Sequence, residues 1–200
     1  MTKAIRGIYA AALTPFTASG DVDTGMLGAY CTWLLEQGID GVAPLGTTGE
    51  GNSISLKERC RVPAALAAAG IPADRAIIGT GSCAFADAVK ATKSALDAGY
   101  NNVLVLPPFY FKNAPDDGIY AYYARLIETI ADDRLRVYLY HFPQMSMTPF
   151  NIDLVQRLKA GFGPVIAGLK DSSGDLGASI AFAAAVEDFD VYPSNEGVYV

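Results

Sequence analysis

The sequence predicts an α/β fold, specifically a TIM (β/α)8 barrel, and three observations carry that expectation. Short apolar runs alternate with helix-like segments along all 200 residues. The repeat averages roughly 30 residues, the size of one strand–helix unit in such a barrel. The first run leads into "TPFTASGD", without the glycine spacing that an open dinucleotide-binding sheet carries after its first strand. Strict alternation implies parallel strands joined by right-handed crossovers.

The first run, "GIYAAAL" (7–13), follows Lys3 and Arg6 and so superficially resembles a signal peptide. It is short, stops at Pro15 and lacks a following cleavage region, which makes a first barrel strand the better reading. Residues 24–37 place Met26, Leu27, Tyr30, Trp33 and Leu34 on one helical face, with Gly38 set to end the helix. A second strand, "GVAPLG" (41–46), precedes "SLKE" at 55–58, a capping box in which Ser55 and Glu58 satisfy each other's amides. Pro63 is expected to kink the helix that this box opens. Five further strands follow: "AIIGTG" (76–81), "NVLVLPP" (102–108), "RVYLYHF" (136–142), "VIAGLK" (165–170) and "DVYPSN" (190–195). "GTGS" (79–82) reads as an ordinary loop rather than a phosphate turn. Seven strands do not close a barrel of eight. The expectation is one barrel domain over residues 1–200 that is the N-terminal part of a longer chain.

Composition narrows the function. With 51% hydrophobic and 18% charged residues the chain reads as soluble and globular. A net charge of -6, with scattered basic residues, argues against a nucleic-acid partner. Cys31, Cys60 and Cys83 are odd in number and widely spaced, and read as reduced thiols. His141 is the single histidine, so no multi-histidine metal site can form, and neither metal nor organic cofactor is expected. No run approaches the ~20 apolar residues needed to span a bilayer, and a cytoplasmic protein is expected.

Lys170 closes the apolar run of strand six, where desolvating an ammonium is costly. Alternation turns Val165, Ala167 and Leu169 toward the helices and Ile166, Gly168 and Lys170 toward the barrel interior. In strand five Val137, Leu139 and His141 face out, while Tyr138 and Tyr140 face in. Lys170 and Tyr140 thus share the inner face at the C-terminal end, where such barrels carry their active sites. An amine there can attack a ketone to give a Schiff base, and a tyrosine hydroxyl can relay the protons that this requires. A lysine merely paired with Asp171, or snorkelling past the rim, explains the residue equally well on this pattern alone. "LGTTGE" (45–50) adds Gly46, Thr47 and Thr48, a turn whose amides and hydroxyls can hold a small carboxylate. Tyr110 ends the loop "LPPFY", where aromatic packing is the plainer reading. His141 points away from the site and reads as structural.

These stretches together resemble the dihydrodipicolinate synthase / N-acetylneuraminate lyase family of class I aldolases. "GIYAAALTPF", "GTTGE", "LPPFY", "YHFP" and "GLKDSSGD" occur in family order across nearly the whole chain. The resemblance implies a Schiff base between Lys170 and pyruvate or a similar 2-oxo acid, with Tyr140 shuttling protons and Thr47 linking it to Tyr110. It implies that Gly46, Thr47 and Thr48 hold the keto-acid carboxylate, that an aldehyde is the second substrate, and that Tyr110 reaches a neighbouring subunit. A homo-oligomer, tetramer or dimer, is therefore expected, as are an eighth strand and C-terminal helices beyond residue 200. Within the family the chain could be an authentic 4-hydroxy-tetrahydrodipicolinate synthase. A non-catalytic keto-acid-binding relative is the alternative of another class, and retention of Lys170, Tyr140, Thr47 and Tyr110 together argues against it. One departure stands out: Met145 occupies the place where authentic synthases carry a carboxylate-binding arginine, which points to a different aldehyde.

Overall fold

In the computed structural model, which describes residues 6–194, each strand is followed by one or two α-helices before the next. They are β1 (Tyr9–Ala10), α1 (Thr24–Glu36), β2 (Gly41–Val42), α2 (Leu56–Arg59), α3 (Val62–Ala68), β3 (Ile78–Gly79), α4 (Phe85–Asp97) and β4 (Asn102–Val105), followed by α5 (Asp116–Ile130), β5 (Arg136–His141), α6 (Pro143–Ser146), α7 (Ile152–Phe162), β6 (Ile166–Asp171), α8 (Leu176–Ala185) and β7 (Asp190–Pro193). All seven expected strand positions carry a strand. The chain divides into two units, Met1–Thr80 with Lys90–Val103, and Gly81–Val89 with Leu104–Val200.

In the first unit β1 and β2 pair in parallel, Tyr9 with Gly41 and Ala10 with Val42. Hydrogen bonds from Ala43 N to Ala10 O (2.8 Å) and from Ala12 N to Ala43 O (3.3 Å) carry the ladder a little further. β1 is nevertheless shorter than the apolar run 7–13, and Ile8 and Leu13 are exposed. Asp23 caps α1 by accepting from Met26 N (2.9 Å), and Gly38, at φ +96°, ends it as expected. The buried face of α1 differs from the expected one. It is formed by Leu27, Gly28 and Cys31, whereas Met26 and Trp33 are 57% and 52% exposed. The reason is close approach: a Cβ on Gly28 would lie 2.7 Å from Ala69 Cβ, so the smallest residue of α1 sets its contact line. Trp33 instead stacks on Tyr30, with ring centroids 6.2 Å apart.

The capping box forms. Ser55 Oγ accepts from Glu58 N (3.3 Å), and the Glu58 carboxylate accepts from Ser55 Oγ (2.8 Å) and Val22 N (2.9 Å). Pro63 does more than kink the helix. α2 stops at Arg59 and α3 restarts at Val62, which puts the proline in a first turn where its missing N–H is not needed.

In the second unit β5 pairs with β6, and β6 with β7, all in parallel. Leu139, Leu158 and Leu169 are fully buried, each contributing about 1.5–3 kcal/mol relative to exposure. The N-caps Asn151 and Asp175 open α7 and α8 through Leu154 N (2.8 Å) and Ala178 N (3.2 Å). Val165 lies in a 3₁₀ turn with Gly163 and Pro164 rather than in the strand, because proline lacks the N–H a ladder uses. Register then slips by one residue: Val137 pairs with Ile166 but Tyr138 with Gly168, leaving Ala167 as the extra residue. Ile166, expected inside, therefore joins the row of Val137, fully buried, with its carbonyl accepting from Lys159 Nζ of α7 (2.9 Å). From Gly168 onward the alternation is the expected one. β7 spans Asp190–Pro193, and residue 195 of the expected strand lies outside the described residues.

Candidate active site

Tyr140 and Lys170 are register partners at the C-terminal ends of β5 and β6. Lys170 Nζ lies 3.4 Å from Tyr140 Oη and 4.7 Å from the centroid of its ring. Tyr140 is buried and stacks on Phe142 at 5.8 Å, so the hydroxyl belongs to a ring with little freedom. Lys170 is half-buried rather than enclosed. One step back on the same face, Gly168 leaves no room for a side chain: a Cβ would lie 2.3 Å from Asp190 O and 2.7 Å from Tyr138 Cε1. Tyr138 in turn packs edge-on against Tyr192 of β7, at 5.8 Å. An amine and a phenol at this separation can exchange a proton through a substrate oxygen placed between them.

Asp171, the competing partner for Lys170, faces the opposite side of the sheet. It is buried and accepts hydrogen bonds from Ser179 Oγ of α8 (2.7 Å) and Ser173 N (2.9 Å). His141, also buried, takes the same face, where its Nδ1 accepts from Phe150 N (3.0 Å) and its ring meets Phe182 at 5.5 Å. Burial pulls the His141 pKa below its ordinary value, against an opposing pull from Asp171. The outward reading of His141 therefore holds, and the ion-pair reading of Lys170 with Asp171 does not. Sequence reasoning missed the cluster of His141, Asp171 and Ser179. Alternation places the first two on one face, but no pattern announces a serine eight residues after the aspartate.

The carboxylate-loop candidates lie in the first unit. After β2 the chain turns through Leu45, at φ +62°, and closes with bonds from Glu50 N to Thr47 O (3.0 Å) and from Gly51 N to Gly46 O (3.1 Å). Thr14 Oγ1 braces the turn by donating to Gly49 O (2.6 Å). Two glycines serve this folding rather than a ligand: a Cβ on Gly49 would meet Ala12 O at 2.8 Å, and one on Gly51 would meet Leu45 O at 2.1 Å. A Cβ on Gly46 would meet only Ala43 O, at 4.0 Å, and Thr47 and Thr48 are exposed. Tyr110, in the second unit, is 73% exposed and set edge-on to Phe111 at 5.2 Å.

The segment after β5 is free of charge. Residues 142–150, "FPQMSMTPF", contain no ionisable side chain, and Met145 and Met147 are exposed there. Among the described residues no group of three or more His, Cys, Asp or Glu is placed to hold a metal ion. No helix among them is long and apolar enough to cross a membrane.

Comparison with known proteins identifies the family. Residues 4–198 match the model of the Dihydrodipicolinate synthetase family. A curated relative, an uncharacterized DapA-like lyase of Chloroflexus aurantiacus, is 42% identical over 85% of this chain and 56% of its own length. The solved dihydrodipicolinate synthase of Agrobacterium tumefaciens superposes with a TM-score of 0.87 at 35% identity, covering 94% of this chain and 65% of that one. A 2-keto 3-deoxygluconate aldolase from Picrophilus torridus follows at 0.84 and 26%, covering 94% and 66%. YagE, a prophage protein of E. coli K12 solved in complex with pyruvate, gives 0.84 and 25%, covering 94% and 62%. The fold class is thus that of the TIM (β/α)8 barrel, and the chain spans a little over half the length of the curated relative, 56%.

Proposed function

Because the chain belongs to the dihydrodipicolinate synthetase family, we propose that it carries the catalytic lysine of a class I lyase acting on pyruvate or a related 2-oxo acid. The observation that carries this reading is the pairing of Lys170 Nζ with Tyr140 Oη at 3.4 Å on one sheet face, with Asp171 engaged on the other. In its neutral form the Lys170 amine attacks the keto carbon. The Tyr140 hydroxyl delivers a proton to the resulting carbinolamine oxygen, water leaves, and an imine forms. Loss of a proton from the adjacent carbon gives an enamine that adds to an aldehyde, and hydrolysis frees Lys170. The reverse sequence cleaves the product. The contact is a little longer than the about 3 Å reach of an efficient relay, and such bonds tighten when substrate binds.

Gly46, Thr47 and Thr48 are assigned to the substrate carboxylate, a role supported by the exposure of Thr47 and Thr48 and the uncrowded position at Gly46. Thr47 and Tyr110 complete the relay in this reading. Exposure of Tyr110 and Phe111 supports a place for Tyr110 at the site of a neighbouring subunit in a homo-oligomer. The aldehyde is assigned a neutral or apolar character, because the segment 142–150 has Met145 in place of a cationic carboxylate partner.

The test is chemical. Incubating the full-length protein with pyruvate and borohydride is expected to add one reduced pyruvyl group, mapped by peptide mass to Lys170. Labelling that persists in Lys170→Ala overturns the assignment. Retention of pyruvate without cofactor-free turnover of any aldehyde favours the non-catalytic keto-acid binder instead.

A further inference from the structure

Directly behind the two candidate catalytic residues lies a buried polar pair that the reaction itself does not use. His141 follows Tyr140 on β5, Asp171 follows Lys170 on β6, and the two are register partners pointing away from the reacting face. Each ties its strand end to the segment that comes next. His141 Nδ1 accepts from Phe150 N (3.0 Å), which brings the far end of segment 142–150 back onto β5, and its ring sits against Phe150 and Phe182 at 6.2 and 5.5 Å. Asp171 accepts from Ser173 N (2.9 Å) and Ser179 Oγ (2.7 Å), which ties the end of β6 to the first turns of α8. The two anchored segments are also joined to each other, by Ser172 N donating to His141 O (2.7 Å) and Gln144 Nε2 to Ser173 O (2.5 Å).

An imidazole and a carboxylate cost free energy in a place where aliphatic side chains would pack at none. What they supply is direction. An Nδ1 that accepts leaves the ring proton on Nε2, and a leucine of similar bulk would strand the Phe150 amide. A residue adjacent to Tyr140 or Lys170 on its strand and fixed from behind also fixes the ring or amine in front, since neighbouring side chains share one backbone. We infer that His141 and Asp171 are positioning residues, which together set the Tyr140 hydroxyl against Lys170 Nζ by pinning both strand ends from the rear. The inference rests on the Schiff-base reading, and its test separates the two.

The experiment uses the full-length protein in three forms: wild type, His141→Leu and His141→Asn. Asparagine keeps an acceptor where Nδ1 stands, and leucine keeps the bulk without it. His141→Leu is expected to lower kcat, and with it the rate of imine formation, about ten- to a hundredfold, the cost of a small misplacement, while half-saturation by pyruvate and the final extent of borohydride trapping at Lys170 stay within about threefold. His141→Asn is expected to recover most of kcat. A wild-type kcat in His141→Leu, or an asparagine variant no better than leucine at equal folded fraction, overturns the inference. Should His141→Leu fail to fold, Ser179→Ala removes one bond from Asp171 without disturbing the sheet. It is expected to lower kcat about tenfold, and an unchanged kcat overturns the inference. A wild type that traps no pyruvate overturns the Schiff-base reading and this inference with it, whereas intact trapping with kcat unmoved overturns the positioning role alone.

Discussion

In the proposed reaction Tyr140 offers a single oxygen, and removing only that oxygen is the sharpest question at the residue scale. In Tyr140→Phe the stacking on Phe142 survives, because it uses the ring. General acid–base help of this kind is worth about 10²–10⁴ in rate, so kcat of the variant is expected to fall at least a hundredfold. A loss of about threefold or less would exclude the relay. His141 carries a second residue-scale consequence, this time in stability. Burial holds its folded pKa below the ordinary value of 6.5, partly offset by Asp171. The unfolded chain therefore binds the proton more readily. The stability that His141 contributes is full above pH 6.5 and is lost as the pH falls through the folded value. The loss has a ceiling of about 1.4 kcal/mol per pH unit for one proton. Urea midpoints on either side of that window are expected to fall more steeply for wild type than for His141→Asn. Both residues were placed on their correct faces by period-two alternation alone. Phe150, the partner of His141, and Ser179, the partner of Asp171, were not legible, since each comes from another segment and only packing brings it in.

At the scale of elements, legibility followed how local the cause is. The cap Ser55 with Glu58 and the stop at Gly38 depend on four or five neighbouring residues and appear as expected. The buried face of α1 depends on a neighbour, α3, and there periodicity erred. It favoured the large side chains Met26 and Trp33, whereas close helix approach selects Gly28. The bulge at Ala167 is likewise invisible in a uniformly apolar run, and it decides which way Ile166 faces. Gly168 shows how tightly the result is held. A methyl group there meets the carbonyl of Asp190 on β7 as well as the ring of Tyr138, and a backbone oxygen cannot step aside as a flexible side chain would. Gly168→Ala is therefore expected to destabilise by about 1–3 kcal/mol, the range for overpacking, and to separate Tyr140 from Lys170 by moving β6. Chemical denaturation and the imine-trapping rate check the two effects. A variant as stable and as fast as wild type would mean that the strands can part without disturbing the site.

Across the whole molecule, strand–helix alternation made the fold class legible, because a parallel sheet with crossover helices is the arrangement that such a pattern allows. Alternation also explains why Lys170, Tyr140, Tyr110 and the Gly46–Thr48 turn were all found at or beyond the C-terminal ends of strands: chemistry in this architecture is read from the loops there. The same logic applied to segment 142–150 bears on substrate choice. Gln144 Nε2 is occupied by Ser173 O, Ser146 Oγ lies within the segment's own bonds, and Met145 and Met147 present thioethers to solvent. None of these offers the charged, bidentate contact that a carboxylate-bearing aldehyde would use, a contact worth about 1.5–3 kcal/mol, or roughly ten- to a hundredfold in binding. With pyruvate as donor, kcat/KM is accordingly expected to be lower for aspartate semialdehyde than for the best neutral aldehyde of a panel. Met145→Arg, which supplies a guanidinium to this segment, is expected to raise kcat/KM for aspartate semialdehyde by about tenfold or more and to leave the neutral aldehydes little changed. If aspartate semialdehyde is already the best substrate of the wild type by a wide margin, the thioether at position 145 does not set the choice, and the alternative of an authentic synthase takes its place.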